Sequence, residues 1–246
     1  MQVHDQLHAA DLTFGEQYLQ VRKAEKRLYS DAIVRMLPFI DASHLHAAEW
    51  QQRSRSAGRL LSYLSRKPSG RVLEIGCGNG WLANLMAATT LHTVIGSDIN
   101  TLELDQARRL FKNKLLEFVH SEGSEKLPEE QPFDFIVFAA SIQYFSSLST
   151  ILNSSLERLN PSGELHILDT RFYKASAIPE ARERTRLYYQ SLGFPHMMSN
   201  YFHHSVEALH SYQPRFLFNP ATLVNRLKGT QHEFPWIRIR KTKQPH

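Results

Sequence analysis

The chain has one cysteine, Cys77, in 246 residues. A single thiol can form neither an internal disulfide nor a cysteine-cluster zinc site. It fits a reducing compartment. Long hydrophobic runs are also missing, since no stretch approaches the roughly 18 consecutive apolar residues that a membrane span requires. The first residues, Met1 to Asp11, carry histidine and aspartate where a secretory signal has its apolar segment. A cytoplasmic protein without membrane association is expected. Internal repeats and low-complexity linkers are absent.

The charge that is present is uneven. The net +5 comes from 29 Lys/Arg and 24 Asp/Glu. Residues 1–70 hold 10 basic against 7 acidic side chains, residues 71–170 hold 7 against 13, and residues 171–246 hold 12 against 4. A basic chain can signal nucleic acid. An acidic middle between basic ends does not describe a general polyanion binder, so nucleic acid is not the expected partner.

Patterning divides the chain. Val21, Ala24, Leu28, Ala32 and Met36 recur at helical spacing, and a second helix is expected from about Leu45 to Leu64. Lys67-Pro68-Ser69-Gly70 is a stop signal. Strands are then expected at Arg71–Ile75, His92–Gly96, Leu116–His120, Phe133–Ala140 and Glu164–Leu168. Helices at Trp81–Ala88, Leu102–Phe111 and Leu148–Leu159 alternate with them. That alternation predicts βαβ units and a parallel sheet. Phe133–Ala140 is apolar except for Asp134, the mark of a strand buried on both faces. Ile178–Leu192 reads as a helix, and two further strands are expected at Arg215–Phe218 and Pro235–Arg240. The reading is a helical N-terminal extension over 1–70 and an α/β domain over 71–246, with a lid-like insertion at about 171–212.

The segment Glu74-Ile75-Gly76-Cys77-Gly78-Asn79-Gly80 carries the most chemistry. A strand ends in an acid and passes through three alternating glycines into a helix. Glycine tolerates unusual φ and lets a ligand approach the backbone. In open parallel sheets, ligands bind at the carboxyl ends of the strands. The next strand leads to Asp98, an acid suited to accept both hydroxyls of a ribose. A nucleoside-containing cofactor follows from this spacing. A dinucleotide fingerprint would place a glycine where Trp81 stands, and no Gly-Lys-Ser/Thr follows to make a phosphate loop.

The run Glu74-x-Gly76-x-Gly78-x-Gly80 resembles motif I of the class I S-adenosylmethionine-dependent methyltransferases, and Asp98 matches their ribose-binding acid. Phe118 to Glu122, Phe133 to Val137 and Leu159 to Leu165 resemble further segments of that family in the same order, although Glu122 stands where aspartate is commoner. The likeness covers roughly residues 70–170 and is nearest to the small-molecule, type 11-like branch. It implies a Rossmann-like, seven-stranded, mostly parallel sheet flanked by helices, with S-adenosylmethionine as cofactor. It also implies cofactor contacts from Glu74, Gly76, Cys77, Gly78, Asn79, Gly80, Asp98, Ile99, Glu122, Gly123 and Ala140, with Ser141 beside the sulfonium.

Methyl transfer from a sulfonium is a direct displacement, so a base is needed only where the acceptor must lose a proton. The candidates are Tyr144, His203 and His204, with Tyr173 and Tyr201 nearby. The histidines read more readily as hydrogen-bonded or solvated structural residues than as catalytic ones, and no third ligand makes them a metal site. Trp50, Arg53 and Arg55 are candidates to close over the cofactor's carboxylate. Asp169-Thr170 either touches the acceptor or caps the next helix. The expected acceptor is a small molecule, and the basic last third suggests an acidic one. RNA or protein methylation and non-catalytic cofactor binding are the alternatives. Against RNA stands Ala139-Ala140-Ser141-Ile142, which occupies the position of an Asn-Pro-Pro-Tyr-type motif.

Overall fold

The computed structural model describes residues 12–121, 131–230 and 232–241. Three helices come first: α1 (Phe14–Ala24), α2 (Asp31–Met36) and α3 (Ala47–Leu64). The alternating part follows as β1 (Arg71–Ile75), α4 (Trp81–Thr89), β2 (Thr93–Asp98), α5 (Thr101–Leu110), β3 (Leu116–His120), β4 (Phe133–Ala139), α6 (Leu148–Glu157) and β5 (Leu159–Leu168). Helix α7 (Ile178–Ser191) precedes β6 (Arg215–Phe218), α8 (Leu223–Leu227) and β7 (Trp236–Arg240).

The seven strands form one sheet in the order β3-β2-β1-β4-β5-β7-β6. Strands β1 to β5 are parallel, and β7 enters antiparallel between β5 and β6. This is the Rossmann-like sheet expected from the sequence. The chain crosses from β1–β3 on one side to β4–β5 on the other, so the switch point falls beside β1. There the loops after β1 and β4 diverge and leave a crevice.

Both faces of the sheet are covered. On one, Val72, Val94, Phe135 and Val137 pack with Leu60, Leu64, Leu82 and Met86 of α3 and α4. On the other, Leu73, Ile136, Phe138 and Ile167 pack with Ile151 and Leu152 of α6. Covering both faces is why β4 reads as an unbroken apolar run. Helix α3 therefore shares a core with the sheet, through Trp50, Ala57, Leu60 and Leu64. Glu164 on β5, itself buried, accepts from Tyr63 of α3 (2.7 Å) and from Arg240 of β7 (2.9 Å), which ties α3 to the sheet.

Two local readings change. The single helix expected from Val21 to Met36 is two. Thr13 caps α1 in a reciprocal box with Glu16, Lys26 turns left-handed at φ 57°, and Ser30 caps α2. Strand β5 starts at Leu159 rather than Glu164. The Pro161-Ser162-Gly163 turn sits inside it as an irregularity, marked by the register shift between Phe133 and Phe135.

The insertion forms a roof together with α1. Val21 of α1 packs against Tyr189 of α7 and Met197, and Phe14, Tyr18, Tyr144 and Tyr201 surround them. Asn200 donates to Gln17 at 3.1 Å across 183 residues of sequence. Among the described residues, no helix is long and apolar enough to cross a membrane.

Candidate active site

The loop after β1 takes its shape from its glycines. Gly76, Gly78 and Gly80 all have positive φ, at 77°, 53° and 75°. At Gly76 a Cβ would meet the Ser141 Cβ at 2.4 Å, and at Gly80 it would meet the Phe118 ring at 2.5 Å. No larger residue fits either position without displacing a neighbour. The loop is pinned to the end of β2, where the Ser97 carbonyl accepts from the amides of Gly76 (2.8 Å) and Cys77 (2.9 Å). Ser141 donates to the Ile75 carbonyl at 2.6 Å and fixes the β4 end against the same loop.

Asp98 ends β2 beside this loop. Its two oxygens accept from the amides of Gly78 (2.7 Å) and Asn100 (2.8 Å). The Ile99 amide also faces this carboxylate. Burial pushes its carboxyl above the usual range, while the amides of Asn100 and Gly78 work against the rise. Beneath the loop lies Glu74, 2% exposed, with Oε2 lacking a partner. Burial raises its carboxyl too, and the neighbouring Asp98 adds to the rise. Asn79 is also buried, with Oδ1 unpartnered. Buried polar atoms are normally bonded, so two orphans at one loop mark a place built for more than packing.

A cavity of about 350 Å³ opens over the loop. Of the residues expected at the cofactor, Gly76, Gly78, Asp98, Ile99 and Ala140 line it, together with Ser141. Four others hold the loop rather than line the cavity. Glu74 lies below it, Cys77 is packed in the core with its thiol pushed up by burial, Asn79 is buried, and Gly80 caps α4. Glu122 and Gly123 lie outside the described residues. Trp81 packs edge-on against Trp50 at 5.3 Å and is buried in the core. The cavity wall also holds Phe14 and Tyr18 of α1, which the sequence reading missed. Their signal was the Thr13-x-x-Glu16 capping box ahead of aromatic residues four apart.

A second cavity of about 460 Å³ adjoins the first and shares Ala140 and Tyr144 with it. Tyr173, Tyr188, Tyr189 and Tyr201 supply aromatic wall. Four arginines (Arg22, Arg27, Arg53 and Arg184) and three carboxyls (Glu25, Glu49 and Asp169) supply charge. Asp169 follows β5 with φ 54°, and Ser56 donates to its Oδ1 at 2.7 Å. Burial raises its carboxyl, against the nearby Arg53 charge. Thr170 donates to Gln143 at 2.9 Å, and Gln143 to the Ala140 carbonyl at 2.7 Å, bracing the junction of the two cavities.

The histidine candidates line neither cavity, although His203 packs behind Tyr173 and Tyr201 of the second one's wall. His203 is buried and pairs with Thr185 at 2.9 Å, and His204 faces the Ile142 carbonyl at 3.3 Å. Burial lowers the affinity of both for a proton. Of the three catalytic candidates, the structure places Tyr144 alone at the cavities, and burial raises its hydroxyl above the usual phenol range. Arg55 turns away to Glu233 at 2.7 Å, and Trp50 donates to the Tyr29 hydroxyl at 3.0 Å.

An open parallel sheet, a glycine loop of positive φ after β1, an acid ending β2 and a cavity at the switch point are together the architecture of the class I S-adenosylmethionine-dependent methyltransferase family. A family model described as a methyltransferase domain matches residues 49–213, and the chain belongs to that family. A malonyl-[acyl-carrier protein] O-methyltransferase of Priestia megaterium is 28% identical over 95 residues, covering 38% of this chain. That match spans 34% of the relative's own length. Among solved structures, the YcgJ protein of Bacillus subtilis superposes with a TM-score of 0.60 at 15% identity, over 78% of this chain and 100% of that one. The magnesium protoporphyrin IX methyltransferase of Synechocystis PCC 6803, crystallised with bound S-adenosylhomocysteine, gives 0.56 at 13%, over 83% and 91%. At such identities these two structures speak to the fold.

Proposed function

We propose that the protein transfers a methyl group to a small-molecule acceptor seated in the second cavity. The observation that carries this is the junction of the two cavities. The second is walled by α1 and α7 and meets the cofactor cavity at Ala140 and Tyr144. A pocket of about 460 Å³ is of the size that holds a metabolite.

In this reading Asp98 takes the ribose hydroxyls and Ile99 packs near the adenine. Gly76 and Gly78 let the backbone approach the amino-acid part, and Ala140 and Ser141 lie near the sulfur. Bound S-adenosylmethionine supplies a methyl group whose leaving group is already activated by its positive charge. The chain's own contribution is alignment, which can account for much of the acceleration in a reaction of this kind. Asp169, oriented by Ser56 and with its proton affinity raised, is the group on the acceptor wall positioned to take a proton from an acceptor that must lose one. Tyr144 acts as a hydrogen-bond donor at the junction. An anionic acceptor is favoured by Arg22, which lines that cavity with its Nε unpartnered.

The test is transfer from S-adenosylmethionine labelled in its methyl group, using a cell extract split by ultrafiltration. Label in a low-mass product separated chromatographically from the donor, formed only when the protein is added, is the expected result. Label confined to RNA or protein would overturn the acceptor assignment, and no label in any fraction would favour a non-catalytic binder.

A further inference from the structure

Helix α7 turns one face to the second cavity, with Ala181, Thr185, Tyr188 and Tyr189 at helical spacing. Thr185 lies in mid-helix, where a hydroxyl ordinarily bonds the carbonyl one turn back. Here it meets Nε2 of His203 instead, at 2.9 Å. His203 is 6% exposed, and its ring centre lies 5.4 Å from that of Tyr173 and 5.2 Å from that of Tyr201, two further residues of the cavity wall. Its Nδ1 is buried without a partner.

The orphaned nitrogen fixes the direction of the bond. Burial, together with the charges of Arg182 and Arg184, lowers the proton affinity of His203, so the ring is neutral near pH 7 and carries one N–H. On Nδ1 that hydrogen would be a buried donor with no acceptor, which folded proteins rarely tolerate. It therefore sits on Nε2 and is donated to the Thr185 oxygen. The hydrogen of the Thr185 hydroxyl is then free, and among the described residues Thr185 makes no second hydrogen bond. The space open to it is the cavity.

The neighbouring groups set what that hydrogen meets. Glu25 already accepts from Tyr188 and pairs with Arg27 at 3.2 Å, and Glu49 is held by Arg27 and by Arg53 at 3.0 Å. A cationic acceptor would find both carboxylates taken. We propose that Thr185 donates a hydrogen bond to an anionic oxygen of the methyl acceptor, with His203 as the positioning residue that turns its hydroxyl hydrogen into the cavity. This rests on the reading of the second cavity as the acceptor site and adds a specificity residue to it.

The probe is the low-mass filtrate of a cell extract, assayed over a dilution series with S-adenosylmethionine labelled in its methyl group. Filtrate passed over an anion exchanger should lose its capacity to take up label, and a fully active flow-through overturns the anionic oxygen. Thr185→Val should raise the amount of filtrate needed for half the limiting rate by about tenfold, the usual effect of losing a hydrogen bond to a charged group. Its affinity for S-adenosylhomocysteine should stay within about twofold of the wild type, and Thr185→Ser should saturate within about threefold of it. A Thr185→Val protein that saturates like the wild type overturns the contact. His203→Phe should show part of the same loss, and His203→Gln, whose amide can still donate to the hydroxyl, should recover most of it. Because His203 acts through Thr185, adding His203→Phe to Thr185→Val should cost nothing further; additive losses overturn the positioning role. The tautomer is read without any variant, from the imidazole nitrogen shifts of His203 in the labelled wild type by nuclear magnetic resonance. A proton on Nδ1 overturns the proposal. If the folded wild type binds no S-adenosylhomocysteine and labels nothing in the filtrate, the failure lies with the methyltransferase reading instead.

Discussion

At Gly80, a backbone turn and the ring of Phe118 leave no room for a side chain, and this kind of constraint is written directly into sequence. The three glycines and Asp98 were legible for that reason. Arg22 was not, because its place on the wall of the second cavity comes only with α1 folded over the site. Glu103 is a similar case. Its spacing from Asn100 announces a helix start, and Asn100 does donate to it at 3.2 Å, but only the fold shows it buried beside Gly78 and Asp98. Burial pushes its carboxyl up to about 7, from an ordinary 4.5, against the pull of Arg22. A group protonated more readily in the folded state favours folding below the lower value. That advantage is lost as pH rises through the higher one, and the difference here amounts to about 3 kcal/mol. Glu103→Gln keeps the bond to Asn100 and never ionises. In urea denaturation it should match the wild type near pH 4.5 and exceed it by about 3 kcal/mol at pH 8. A gap that stays constant with pH contradicts the burial of an ionisable Glu103.

Among the elements, the strands were the most readable. Burial on both faces leaves β1 and β4 as short apolar runs between turn signals, a pattern that little besides a central strand produces. The N-terminal helices were less so, because the periodicity of 21–36 runs across the left-handed Lys26 as though the helix continued. Helix α1 lends wall to both cavities, and its partners are far away in sequence. Tyr188 donates to Glu25 across 163 residues. No local pattern announces such contacts. Since Phe14 and Tyr18 contribute wall to the cofactor cavity, Phe14→Ala with Tyr18→Ala should weaken S-adenosylhomocysteine binding by about tenfold or more. Titration of the double variant checks this, and unchanged affinity would remove α1 from the cofactor site.

Across the whole molecule, the uneven charge has acquired a structural meaning. The acidic middle is the part that carries the glycine loop, with Glu74, Asp98 and Glu103 grouped around it. Part of the basic last third is paired within the chain. Arg184 and Arg186 pair with Glu180 and Glu183 within α7, and Arg238 and Arg240 of β7 converge on Glu164. What remains distinctive is a sheet whose switch point carries two joined cavities under a roof drawn from both ends of the chain. The most direct test of this architecture is titration of the folded protein with S-adenosylhomocysteine, beside Asp98→Ala. Saturable binding at one site is predicted in the wild type, and its loss in the variant. Folded wild-type protein that takes up no S-adenosylhomocysteine at millimolar concentration, or a variant that binds it equally well, would contradict the assignment of this site.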